Sequence, residues 1–205
     1  CRFCLASYLT LPFRSASVED GLIPATEIGL RVTRRLGLLG ASVTQHPEFN
    51  EFLEWINRDE FDDIRLSISS VRAATINRKM TEILSKRGCK SLTMAIESGS
   101  ERMRQVINKK LSEEQIYSAV RHAFDGGLKN LKFYGIVGLP TEREEDILKT
   151  ESLLIDLKKK TSSLRFTLGV STFVPKAHTP FQWNGVDIEA NKKLKYLSKK
   201  LKQKG

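Results

Sequence analysis

Cysteine is scarce in this 205-residue chain, which holds three, at positions 1, 4 and 89. That is too few to staple a disulfide scaffold, and it points to a reducing compartment, with the cytoplasm as the expected location. Long apolar runs are also missing. None approaches the roughly 18 residues that a membrane span requires, so no membrane partner is expected. There is no methionine at position 1, where the chain opens Cys1-Arg2-Phe3-Cys4. A piece of a longer protein, without a signal peptide, is therefore expected. Histidine is sparse as well: His46, His122 and His178 stand in no zinc-finger spacing. Acidic residues vanish from the end of the chain. Asn191 to Gly205 holds Lys192, Lys193, Lys195, Lys199, Lys200, Lys202 and Lys204 and no acid, against a net charge of +10 for the whole chain. The excess charge thus sits largely in this tail, and a solvated helix face accounts for it better than a nucleic-acid grip. Only Tyr196 is interleaved with the tail lysines, where a single-strand binder would present several aromatics.

What is present is a rhythm of short apolar runs alternating with longer amphipathic ones, the pattern of a parallel sheet with crossover helices. Strands are expected at Leu36–Val43, Asp63–Ser69, Ser91–Ile96, Leu131–Val137 and Leu164–Phe173. Helices are expected at Ser17–Leu30, weakened by Gly21 and Pro24, at Pro47–Arg58 and at Ile76–Arg87. Ser112-Glu113-Glu114-Gln115 reads as a capping box opening a helix that Gly126-Gly127 stops. Thr141-Glu142-Arg143-Glu144 reads as a second one, opening a helix to about Lys160. Asp187–Lys204 completes the set, with Leu194, Leu197 and Leu201 on one stripe. A closed eight-unit barrel takes about 250 residues, so an open partial barrel or a doubly wound sheet is expected.

Two cysteines in a C-x-x-C spacing can ligate zinc, ligate an iron–sulfur cluster, or do neither. Context sharpens the choice. Glu97-Ser98-Gly99-Ser100 and Gly138-Leu139-Pro140-Thr141-Glu142 each follow an expected strand, at the edge where parallel barrels gather their active sites. A carboxylate there, beside small residues that let a ligand approach the backbone, suits a polar cofactor bearing an amino group.

On these residues the chain resembles the radical S-adenosylmethionine (SAM) superfamily. Cys1-Arg2-Phe3-Cys4 is similar to the end of that family's C-x-x-x-C-x-aromatic-C signature. The ESGS and GLPTE segments resemble the domain shared by Elongator's catalytic subunit, the methylthiotransferases and the nitrogenase cofactor maturase. Leu39–Phe49, Ser69–Ala73, Glu97–Lys109 and Phe173–Trp183 resemble uncharacterised bacterial members with an upstream cobalamin-binding domain.

The resemblance implies an α/β fold, a partial TIM-like barrel of about five to six βα units. It spans 1–186, with 187–205 a basic helix leading into a further region. It implies an enzyme that binds a 4Fe–4S cluster and SAM, cleaving the latter reductively to a 5′-deoxyadenosyl radical. In the full-length parent it allows cobalamin. Cys1 and Cys4 would ligate the cluster and Phe3 would pack beside it. Glu97 and Ser98 would contact the cofactor's polar end or ribose, Ser70 and Arg72 its carboxylate, and Ser42 its amino group. Ile136, Val137 and Val174 would line the adenine pocket. The substrate is unknown, and a flavodoxin or ferredoxin is the expected electron donor. Two departures stand out. The signature's first cysteine would lie four residues before Cys1, and Gly40-Ala41-Ser42 stands where many members carry Gly-Gly-Glu. An RNA-modifying module of methylthiotransferase type, or a catalytically dead scaffold, are the alternative readings.

Overall fold

In a computed structural model, the protein is described over residues 1–40 and 42–204. The elements run α1 (Ala6–Leu9), a π turn (Val18–Leu22) continuing into α2 (Ile23–Leu30), β1 (Arg35–Leu38), α3 (Phe49–Ile56), β2 (Arg65–Ile68), β3 (Ser70–Val71), α4 (Arg78–Lys86), β4 (Ser91–Glu97), α5 (Glu101–Val106), α6 (Glu113–Asp125), β5 (Asn130–Val137), α7 (Glu144–Lys160), β6 (Arg165–Thr172) and α8 (Ala190–Lys202). Every strand pairing is parallel: β1 with β2, then β3, β4, β5 and β6 in order. β2 and β3 are one extended stretch broken at Ser69. Its first half pairs with β1 and its second with β4, so that the stretch joins the two ladders. The result is an open (βα) half barrel, one of the two architectures that the alternation of the sequence allows.

Period-two patterning decides which side of the sheet is covered. Leu92, Met94 and Ile96 of β4 and Leu131 and Phe133 of β5 are fully buried against the outer helices. Those helices present Met80, Ile83 and Leu84 from α4, Ile116, Val120 and Ala123 from α6, and Leu153, Leu154 and Leu157 from α7. The residues between them in sequence, Thr93, Ala95, Lys132 and Tyr134, are half-buried or exposed on the concave side. α8 lies across β6 and α7, where Leu197 and Ala190 bury against Val137 and Ile147. No helix among the described residues is long and apolar enough to cross a membrane.

Several boundaries differ from the sequence reading. β1 ends at Leu38, and Val43–Gln45 is a 3-10 turn rather than strand; Ala41, within the expected strand, lies outside the described residues. The Ser112 capping box forms with both bonds, at 3.1 and 3.0 Å. The one expected at Thr141 does not. The Asp146 carboxylate instead accepts the Arg143 N–H at 2.8 Å, so α7 starts at Glu144. α5 was not expected at all, because six residues with no clear apolar stripe carry little periodicity.

Candidate active site

The chain's first residues fold onto the C-terminal ends of the strands. Cys4 N–H donates to Cys1 C=O at 3.2 Å, closing a tight turn that turns both cysteines into one loop. Three bonds fasten the loop to two different elements. Arg2 donates its N–H to Ile107 C=O (2.9 Å) and its guanidinium to Val106 C=O (2.8 Å), and its own C=O accepts from Phe181 N–H at 3.3 Å. Phe3 is half-buried and packs on a cluster of Met103, Ile107, Leu139, Phe173 and Phe181, with Ile136 at its margin. Phe173 and Phe181 meet edge to face at 5.9 Å. The C-x-x-C loop is thus held by the helix after β4 and by the segment after β6.

Beneath it stands Glu97, the last residue of β4. It is buried, with φ of +64°. A non-glycine residue in that region is strained and marks a position the fold over-determines. Its carboxylate pairs with the Lys109 ammonium at 2.9 Å, both side chains largely shielded from water. Lys109 is itself delivered by strained backbone: its neighbours Asn108 and Lys110 have φ of +53° and +48°. Among the described residues, the non-glycine positive-φ positions are Glu97, which ends β4, and Asn108, Lys110, Thr141 and His178, which lie in the connections that follow β4, β5 and β6. The bond from Arg2 N–H to Ile107 C=O seats the loop beside the turn that carries Lys109, so the C-x-x-C loop and the Glu97–Lys109 pair meet at one edge.

The remaining ESGS residues build the floor. Gly99 is where β4 meets α7: a Cβ there would fall 2.4 Å from Thr150 Cα, so only glycine fits. Gly99 N–H donates to Thr150 Oγ1 at 2.9 Å. Ser100 caps α5 and donates its hydroxyl to Asp146 at 2.5 Å. Asp146 is buried and also pairs with Arg102. Burial pushes its carboxyl up, but bonds from Arg102, Ser100 and the Arg143 N–H outweigh this and hold it below the usual carboxylate range. In the GLPTE turn, Gly138 N–H donates to Glu142 at 2.7 Å, and Lys193 from α8 reaches the same carboxylate at 3.0 Å. Burial raises the Glu142 carboxyl despite these two bonds.

Of the residues singled out from sequence, Cys1, Phe3, Cys4, Glu97 and Ile136 converge on this edge. Arg72 joins from the far side, its guanidinium donating to Lys110 C=O at 3.3 Å. Ser42 donates to Gln45 at 2.5 Å. Ser70 is exposed at the start of β3, in register with Thr93. Ser98 is buried, its hydroxyl accepting from Ser100 N–H at 3.1 Å and its C=O from Arg104, which gives it a structural task. Val174 is 58% exposed beyond β6. Val137 requires a correction. Odd positions of β5 face the helices, so its side chain lies under α8 with Ile147, Ala190 and Leu197, away from Ile136. Lys109 was missed. The available signal was a cation in the turn after the ESGS helix, but that helix was itself unforeseen. A surface groove of about 740 Å³ lies elsewhere, between α6 and α7 around Tyr117 and Phe124. It carries none of these residues.

The donors present fit part of a cluster's ligand set. Cys1 and Cys4 supply two thiolates, and among the described residues no third His, Cys, Asp or Glu joins them. The adjoining Glu97–Lys109 pair, one anion beside one cation, fits the ammonium and carboxylate of an amino acid.

A comparison with known proteins agrees with this geometry. A family model described as the radical SAM superfamily matches residues 1–154. An uncharacterized protein of Methanocaldococcus jannaschii is 35% identical over the whole chain, which covers 45% of its length. A tRNA-2-methylthio-N(6)-dimethylallyladenosine synthase of Alkaliphilus oremlandii is 26% identical over 73% of the chain and 34% of its own length. The chain therefore spans less than half of either relative. Among solved structures, the coproporphyrinogen III oxidase HemN of Escherichia coli, a radical SAM enzyme, superposes on 84% of the chain and 41% of its own, with a TM-score of 0.59 at 18% identity. With thiols, carboxylate and cation gathered at the C-terminal edge of a parallel half barrel, and with three quarters of its length matched by the family model, the chain belongs to the radical SAM superfamily.

Proposed function

We propose that this chain is the catalytic core of a radical SAM enzyme and that Cys1, Cys4, Glu97 and Lys109 hold its cofactors. The observation that carries the reading is the convergence of the C-x-x-C loop, fastened at Ile107, with the Glu97–Lys109 pair at one strand edge. When bound, the 4Fe–4S cluster and SAM supply a 5′-deoxyadenosyl radical that removes a hydrogen atom from substrate. The chain's own part is to bind, orient and exclude water. Cys1 and Cys4 give thiolates to the cluster, with a third expected upstream of Cys1. Lys109 takes the cofactor's carboxylate, and Glu97 its amino group or ribose. Ile136 flanks the adenine. Phe3, Phe173 and Phe181 form the apolar wall behind the loop, which keeps water from a reactive radical. A one-electron donor of the flavodoxin or ferredoxin class, in the cytoplasm, completes the proposal.

The test is anaerobic reconstitution of the full-length protein with iron and sulfide. The expected result is brown charge-transfer absorbance, lost in Cys4→Ala, and release of 5′-deoxyadenosine when SAM and dithionite are added. Tight zinc binding at these cysteines with no iron–sulfur absorbance overturns the proposal.

A further inference from the structure

The concave side of the sheet is built unlike a packed barrel interior. Layers of branched apolar side chains normally fill that space. Here the strand register sets Ser70, Thr93, Lys132 and Thr167 side by side in one row, with Ala95, Tyr134 and Gly169 in the next row toward the active edge. No acidic residue occupies an inward position of β3 to β6 below Glu97.

Lys132 and Tyr134 form a unit. The Lys132 ammonium stands 4.9 Å from the centre of the Tyr134 ring. Both lie over Gly169: a Cβ there would meet the ring at 3.1 Å and Lys132 Cε at 3.8 Å. Glycine at 169 is what lets the ring approach β6 this closely. Among the described residues no carboxylate pairs with Lys132, whose recorded contact is this ring. An ammonium over an aromatic face, in a strand row that carries Thr93 and Thr167 on either side, attracts anions and has hydroxyls nearby to offer them. At about 3.3 Å per residue, the Tyr134 level lies roughly 7 Å below Ile136 and the active edge.

We infer that this row is the substrate-anchoring site, and that the substrate is a small molecule carrying a carboxylate or phosphate. The Lys132 ammonium, over the Tyr134 ring, binds that anionic group, leaving a carbon roughly 7 Å further along at the level of Ile136. The inference rests on the radical SAM reading for its meaning but not for its test, which needs neither cluster nor SAM.

The experiment is a backbone amide NMR titration of the 205-residue chain with inorganic phosphate and, separately, with glutarate. In the wild type, saturable shifts are expected at Thr93, Lys132, Tyr134, Thr167 and Gly169. Lys132→Met should weaken binding by about tenfold or more, the usual worth of one charge-assisted contact, while Lys132→Arg retains most of it. Saturation by phosphate alone assigns a phosphate ester, and by glutarate alone a carboxylate. Shifts confined to the Lys192–Lys204 tail, or equal affinity in Lys132→Met and wild type, overturn the inference. So does a short RNA that moves these resonances while both small anions leave them still. Cluster loading without anion binding sinks this inference alone; anion binding without cluster loading sinks the radical SAM reading alone.

Discussion

Gly99→Ala is the sharpest single test of how the site is built. The added Cβ would lie 2.4 Å from Thr150 Cα and 2.8 Å from Lys149 C=O, both backbone atoms of α7 that no rotamer change can move. Relief to ordinary contact requires α7 to withdraw by about 1 Å, and overpacking of this kind typically costs 1–3 kcal/mol. The withdrawal also stretches the Gly99 N–H bond to Thr150 and the Ser100 bond to Asp146, each worth about 1 kcal/mol. The sum is about 3–5 kcal/mol, or roughly 6–20 °C in melting temperature for a domain of this size. Thermal unfolding followed by circular dichroism measures it. Gly185→Ala is the matched control, because nothing lies within 4 Å of a Cβ there; it should stay within about 0.5 kcal/mol of wild type. A Gly99→Ala protein that melts with the wild type would refute the claim that β4 meets α7 through this contact, and with it the account of why the motif holds glycine.

Three more outcomes are expected. In the full-length, cluster-loaded protein, Lys109→Met and Glu97→Gln should each weaken SAM binding by about tenfold to a hundredfold, the scale of a charge-assisted bond; unchanged affinity by calorimetry reduces the pair to a structural ion pair. Asp146→Asn should cost about 1.5–3 kcal/mol at neutral pH. The Asp146 carboxyl is held below its unfolded value, so its contribution is present above about pH 4 and lost as pH falls further; the gap in urea midpoint between variant and wild type should shrink as pH is lowered below that value, and a constant gap would contradict the ion-pair account. Leu197→Ala should destabilise by about 2–4 kcal/mol, since Leu197 is 2% exposed where α8 crosses β6; a neutral effect would mean that α8 is a detachable tail.

The sequence by itself determined the strand–helix alternation and the covered side of the sheet. Leu92, Met94 and Ile96 alternate with polar neighbours, and that local period has one reading. It also placed the Ser112 capping box and the glycines that stop α6, because caps are chemistry between residues three or four apart. Cys1, Phe3, Cys4 and Glu97 were legible as a group through their likeness to a known signature. Tertiary structure decided the rest. Lys109 meets Glu97 only because two strained residues turn the chain back after α5. Asp146 displaces Thr141 as the organiser of α7 because Ser100 and Arg102 arrive from another strand's loop. Val137 turns from Ile136 because β5 is covered on that face by α8, an element more than fifty residues further on. Lys132 and Tyr134 share a site because Gly169, across a strand boundary, leaves them room. Each of these depends on which segments become neighbours, and a parallel sheet fixes that only after its helices have crossed over and packed.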